Sequence, residues 1–313
     1  MTPTETPGEH PGPPKETLDP LASTAQLIDR ITSDAGSRLR RVGRDVRTGP
    51  HPAPVPPALV VVAHGSRDPR TLATVRSLLD AVRARRPELA VHLGHIELNE
   101  PLLPDTLARL APGRAVLVPL LLGRGYHVKH DLPAAAAAAP HLDARVAAPL
   151  GPHPLLVDAL HDRLVEAGFP PGAAPAGYGV VLAAAGSRDP EGLADTRGTA
   201  AALAERLGVP VVPAYASAAS PTVPEAVRAL AARGCGRVAV ASYFTAPGRF
   251  AAQSAQAATA APGVPGVASA PLGTHPAVAE LLLLRYEAAV RSFGARAGSA
   301  GSAAGERLQL ASA

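Results

Sequence analysis

The sequence predicts an α/β protein of two similar domains, each a parallel sheet flanked by helices. Three observations carry this reading. Apolar runs alternate with helical stretches through the middle of the chain, the runs are apolar throughout, and the order of elements repeats. A strand with no polar face must be covered on both sides, and the crossover helices of a parallel sheet provide that cover.

The elements follow in order. Residues 1–57 begin and end Pro-rich, at Pro11–Pro14 and Pro52–Pro57, and only Leu18–Arg41 has helical spacing, so this stretch reads as a disordered leader. Leu59–Ala63 is the first strand, and Arg70–Arg86 a helix with Leu72, Val75, Leu78, Leu79 and Val82 on one face. Val91–Glu97 is the second strand, and Pro104–Leu110 starts a helix. Ala115–Leu122 is a continuous apolar strand, and Pro133 opens an Ala-rich helix. Val146–Leu150 reads as a short strand and Leu155–Val165 as a helix.

An internal repeat sets the domain organisation. His64-Gly-Ser-Arg-Asp-Pro69 returns as Ala185-Gly-Ser-Arg-Asp-Pro190, an offset of 185 − 64 = 121, and Pro149-Leu-Gly-Pro-His-Pro154 returns as Pro271-Leu-Gly-Thr-His-Pro276, an offset of 271 − 149 = 122. An N-terminal domain over 58–170 and a C-terminal domain over 171–294 follow, divided at a Pro/Gly/Ala linker, Phe169–Gly177. Residues 295–313 repeat Gly, Ser and Ala and read as a flexible tail.

Composition removes several function classes. Gly 29 and Pro 35 cluster without a G-X-Y period, so the chain is not collagenous. The single cysteine, Cys235, cannot supply an internal disulfide, a CxxC site or a cysteine-ligated cluster, which fits the cytoplasm. No run reaches the roughly 18 apolar residues of a membrane helix, and the first residues lack a secretory signal, so no membrane passage is expected. The net charge is +4, but aromatics make up 3% of the chain and the densest basic run, Arg38–Arg47, lies in the leader. Nucleic acid is therefore not an expected partner.

In an open parallel sheet, ligands bind beyond the carboxyl ends of the strands. The first strand runs into His64-Gly-Ser-Arg67, the second ends at Glu97, and the third runs into Gly123-Arg-Gly-Tyr-His127-Val-Lys129-His-Asp131. With a strand order 2-1-3-4 these loops are neighbours, and His64, Glu97 and His127 converge. Two imidazoles and a carboxylate with open positions suit Fe(II), Co(II) or Ni(II). His95, two residues before Glu97 on the same strand face, is a rival ligand. His130 reads as a helix-start residue, and His153 and His275, each before a proline in its repeat, read as structural helix caps.

Other motifs lack their context. Gly234-Cys-Gly-Arg-Val-Ala239 has the letters of a dinucleotide fingerprint but precedes a strand. No phosphate loop or nucleophile elbow occurs. Ser66 and Arg67 suit a helix start or an anion contact. Without a metal, His64 as a general base of another small-molecule enzyme stays open.

The Ala-His-Gly-Ser-Arg-Asp-Pro strand end, Ile-Glu-Leu-Asn-Glu-Pro and Val-Pro-Leu-Leu-Leu-Gly-Arg-Gly-Tyr-His-Val-Lys-His-Asp-Leu-Pro133 resemble the sirohydrochlorin chelatases, class II enzymes that insert iron or cobalt into sirohydrochlorin. The resemblance spans about residues 58–290 and implies two flavodoxin-like halves, monomeric in one chain, facing across a cleft. It implies a metal site at His64 and His127 with Glu97 nearby, and no tightly bound cofactor. The metal is then a substrate, with Fe2+ (giving sirohaem) expected ahead of Co2+ for cobalamin and Ni2+. Arg67, Arg124, Lys129, Arg188 and Arg249 at the strand ends are expected to hold the substrate's carboxylates. A non-catalytic metal or tetrapyrrole carrier would share these features. In the second repeat Ala185, Ser217 and Arg249-Phe250 replace His64, Glu97 and Tyr126-His127, so a single site in the N-terminal half is expected.

Overall fold

The computed structural model describes residues 55–171, 176–259 and 266–310. Residues 1–54, with the helix expected over Leu18–Arg41, and residues 172–175, 260–265 and 311–313 lie outside them.

The N-terminal half runs β1 (Ala58–Ala63), α1 (Pro69–Arg85), β2 (Val91–His95), α2 (Leu103–Ala108), β3 (Gly113–Pro119), a π-helical turn (His127–Asp131), α3 (Leu132–Ala137), β4 (Leu142–Val146) and α4 (Pro154–Glu166). The C-terminal half runs β5 (Tyr178–Ala184), α5 (Pro190–Leu207), β6 (Val211–Tyr215), α6 (Val223–Ala232), β7 (Arg237–Ser242), α7 (Arg249–Thr259), β8 (Gly266–Ala268) and α8 (Pro276–Leu310). Both sheets are parallel with matching orders, β2-β1-β3-β4 and β6-β5-β7-β8. Ala63 pairs with His95 and Val62 with Pro119, so the first three strands end side by side.

The continuous apolar strands have the two covered faces their composition requires. Leu59, Val61 and Ala63 belong to one core, and Val60 and Val62 to another with Leu103, Leu107 and Leu132. Complete burial of such a side chain contributes about 1.5–3 kcal/mol. The first core is common to both halves, since Val180, Leu182 and Ala184 of β5 also belong to it.

The halves are not self-contained, because each lends its last helix to the other. Helix α4 packs on α5 and β7, whereas α8 packs on α1, α4, β3 and β4. The Tyr286 hydroxyl on α8 donates to the Pro57 carbonyl at 2.6 Å, and Phe293 lies under the Arg145 guanidinium at 4.7 Å. Phe169, expected in the linker, is instead buried in the shared core.

One further expectation is corrected. The fourth strand is Leu142–Val146, not Val146–Leu150. It pairs only with β3, and this edge position lets it carry Asp143 and Arg145, so a search for unbroken apolar runs passes over it. Leu150 is fully buried, but in the loop beyond the strand. Helix α8 runs to Leu310, through the first part of the stretch read as a tail. Among the described residues no helix is long and apolar enough to cross a membrane.

Candidate metal-handling site

The site forms where three loops leave the first three strands. Gly65 adopts φ +104°, and a Cβ there would fall 1.8 Å from the Glu97 carbonyl oxygen. Only glycine permits that approach. It lets the loops be stitched together: Glu97 N–H donates to the His64 carbonyl at 3.0 Å, and Ser66 N–H to Asn99 Oδ1 at 2.7 Å. Ser66 Oγ accepts from Asp68 N–H at 3.1 Å, and Asp68 caps α1, so Ser66 serves the helix start. Arg67 is exposed.

The third loop ends in the π-helical turn, which His127 opens. Such turns need special local backbone geometry and recur at functional sites. His127 Nδ1 lies 2.6 Å from Asp131 Oδ2, four residues on. Because a carboxylate only accepts, Nδ1 is the donor, and in the neutral imidazole Nε2 then presents its lone pair. His64 Nδ1 similarly faces two acceptors, Glu97 Oε1 at 3.5 Å and the Gly65 carbonyl at 3.4 Å. The two imidazoles meet edge to face, with ring centroids 5.0 Å apart. Both are partly exposed, at 45% and 35% of the side chain, so a solvated ion can reach them. Tyr126 stands beside them, 66% exposed and tilted against His130.

The structure thus brings His64 beside Glu97 and His127 and buries His95 in the core. His95 is 2% exposed, and its Nδ1 lies 3.2 Å from the Pro101 carbonyl. Burial pushes its imidazole pKa down. It has the burial and the main-chain partner of a core histidine. His153 and His275 cap helices, as expected: their Nδ1 atoms accept from Leu155 and Ala277 N–H, each at 3.2 Å. Among the described residues no three His, Cys, Asp or Glu side chains gather into a set that could hold a metal ion, so the site offers the two imidazoles with a carboxylate beside each.

Two of the expected substrate cations are engaged elsewhere. Arg124 pairs with Asp195 and Glu191, and Lys129 with Asp189 and Glu191, all on or just before α5 of the other half. Arg188 and Arg249 are exposed, with Arg249 stacked 4.8 Å over Phe250. Asp131 escaped the sequence reading, although its spacing of four from His127 in a helical segment is the signal for it.

The C-terminal half keeps the backbone device without the ligands. A Cβ on Gly186 would meet the Ser217 carbonyl at 1.9 Å, and Ser217 Oγ donates to the Ala185 carbonyl at 3.0 Å. A cavity of about 560 Å³ between α4 and α5 is lined by His153, Val157, Thr199, Ala202 and Arg206 among others, but by none of the strand-end histidines. Its histidine caps α4 through Nδ1, and of its two carboxylates, Asp158 and Glu205, the first faces Arg206 at 3.8 Å.

Comparison with known proteins identifies the family. The CbiX family model matches residues 58–167 and again 179–289. The sirohydrochlorin cobaltochelatase of Methanococcus maripaludis is 34% identical over 79 residues, 24% of this chain and 55% of that protein. The sirohydrochlorin ferrochelatase of Bacillus subtilis is 28% identical over 176 residues, 54% of this chain and 66% of that protein. The chain therefore spans about half to two thirds of the length of these curated relatives. The structure of SirB from Bacillus subtilis with Fe3+ superposes with a TM-score of 0.62 at 27% identity, covering 76% of this chain and 98% of that one.

Proposed function

The chain belongs to the CbiX family of sirohydrochlorin chelatases, and from that premise we propose that it inserts a divalent metal ion, Fe2+ first, into sirohydrochlorin in the cytoplasm, as a monomer. The reading rests above all on the His64–His127 pair at adjoining strand ends. Iron is favoured because the ferrochelatase relative aligns over 54% of this chain and the cobaltochelatase over 24%. The higher identity of that shorter stretch makes Co2+ the second reading.

Insertion requires the ion to lose water while the macrocycle loses its pyrrole N–H protons. Two neutral imidazoles replace water on the ion with donors of moderate strength, so the ion is held and can still leave for the macrocycle. Asp131 and Glu97 keep the protons of His127 and His64 on Nδ1 and so leave each Nε2 free. Glu97, 53% exposed, is placed to take a departing pyrrole proton and pass it to solvent. Arg67, Arg188 and Arg249 supply positive charge for the peripheral carboxylates.

The test is an anaerobic insertion assay with Fe2+, Co2+ and Ni2+ offered separately, followed by the absorbance of the tetrapyrrole. Fastest turnover with Fe2+ is expected. Metal binding without turnover for any of the three would make the protein a carrier instead.

A further inference from the structure

The acidic residues at the start of α5 face the loop that carries His127. Asp195, 4% exposed, accepts the main-chain N–H of Arg124 at 2.8 Å and grips its guanidinium, with Nη2 to Oδ1 at 2.6 Å and Nε to Oδ2 at 3.0 Å. Lys129 Nζ lies 2.6 Å from Asp189 Oδ2 and 2.5 Å from Glu191 Oε2. The backbones also meet closely, since a Cβ on Gly192 would fall 2.3 Å from the Arg124 carbonyl oxygen. Arg124 precedes His127 by three residues and Lys129 follows it by two. The histidine is therefore bracketed by two anchors on the other half.

The repeat shows how this arose on one side only. Asp189 and Glu191 correspond to Asp68 and Arg70, at the same offset of 121. In the N-terminal half Arg70 turns back on its own Asp68, with Nη2 to Oδ2 at 2.7 Å. Glutamate at the matching position cannot do so, and both carboxylates reach across to Lys129. The pseudo-symmetric contact uses Thr71, whose hydroxyl donates to the Pro247 carbonyl at 2.6 Å. Pro247 occupies the place of Arg124, at the offset 250 − 127 = 123 that relates Phe250 to His127.

We propose that Asp189, Glu191 and Asp195 are positioning residues for His127: through Arg124 and Lys129 they fix its turn relative to His64, which is held from β1. This gives the half without strand-end imidazoles a part in metal handling beyond walling the cleft, and it rests on the role of His127 proposed above. The physical reason is geometric. His64 and His127 sit on separate loops, and an error of about 1 Å between two groups that must act on one ion costs on the order of 100-fold.

The test measures Co2+ affinity of the full chain by calorimetry, and insertion rates with Co2+ and sirohydrochlorin varied in turn. Lys129→Met and Asp195→Asn should each weaken Co2+ binding and raise the KM for Co2+ by about 10-fold, by analogy with the loss of outer-shell partners. The KM for sirohydrochlorin should stay unchanged. Lys129→Arg should retain wild-type values, and Lys129→Glu combined with Glu191→Lys should recover part of what Lys129→Glu alone loses. Lys129 is on the surface, so its variants carry the test if Asp195→Asn does not fold. Variants that melt earlier yet keep wild-type Co2+ affinity and KM would reduce the contact to a structural one and overturn the proposal. His127→Ala with unchanged Co2+ binding would overturn the role of His127 itself, and this assignment with it.

Discussion

His64 and His127 stand edge to face with their ring planes at 83°, although one follows β1 and the other β3. The strand order makes them neighbours: β1 is hydrogen-bonded to both β2 and β3, and all three end level. Neither ring supports the core, so their chemistry is separable from folding. His64→Ala and His127→Ala should each lower insertion by more than about 100-fold while changing stability by less than about 0.5 kcal/mol. Wild-type turnover in either variant would remove the site.

The two carboxylates beside the pair should differ in weight. Asp131 touches His127 at 2.6 Å, whereas Glu97 stands 3.5 Å from His64. In Asp131→Asn the new amide can donate to Nδ1, which would move the imidazole proton to Nε2 and block the metal-facing nitrogen. Co2+ affinity in that variant should fall about 10- to 100-fold. Glu97→Gln should slow insertion less than either histidine variant, and its Co2+ affinity should change little. Equal losses in calorimetry for both carboxylate variants would make Glu97 a ligand.

Gly65 gives a backbone test of how the site is assembled. Alanine there meets the Glu97 carbonyl and an unfavourable φ of +104°, and Gly65→Ala should cost more than about 1 kcal/mol in urea unfolding. Gly198, in the interior of α5 with no atom near its would-be Cβ, is the control. Gly198→Ala should stabilise by about 0.4–1 kcal/mol. The opposite ordering would mean that the Gly65 loop can rearrange without penalty.

Acid sensitivity should begin with buried His95 and part-buried His92 and His153. Burial lowers the pKa of His92, His95 and His153 in the fold. Above an unfolded value of about 6.5 they are neutral in both states, and their contribution is fully present. Below it the unfolded chain gains protons that the fold resists, so stability falls as pH falls through the folded pKa values. Denaturation midpoints should decline from pH 7.5 to pH 5.5, and His95→Gln should flatten that decline. An unaltered slope would assign the acid response to other groups.

Legibility of the sequence followed burial. β1 and β3 are apolar on both faces and were readable as such, whereas edge strand β4, with Asp143 and Arg145, was displaced by four residues in the reading. The helix exchange was not readable, because α4 and α8 show the same apolar stripe whichever sheet they cover. His64, Glu97 and His127 were legible because a parallel sheet gathers strand ends. The acids of α5 were not, since an offset of 121 identifies Glu191 with Arg70 but does not reveal which loop lies opposite. Charge type and position were visible; partnership across the halves required the fold.

The last prediction concerns the cations that remain for the substrate. With Arg124 and Lys129 engaged by Asp195, Asp189 and Glu191, the proposed function leaves exposed Arg188 and Arg249 as the C-terminal half's expected cations for a polycarboxylate. Exposed charge contacts are each worth up to about 1 kcal/mol, so Arg188→Ala and Arg249→Ala should raise the KM for sirohydrochlorin about 2- to 5-fold. The KM for Co2+ should not move, because neither residue touches the imidazole pair. Salt separates the two kinds of contact: at physiological ionic strength screening acts over about 8 Å, and raising it further should erase the difference between wild type and either arginine variant. The deficit of His64→Ala should persist at every salt concentration, because direct metal ligation is not screened. Steady-state rates across a salt series decide the matter, and an arginine effect that survives high salt would place that residue in a buried contact instead of at the mouth of the cleft.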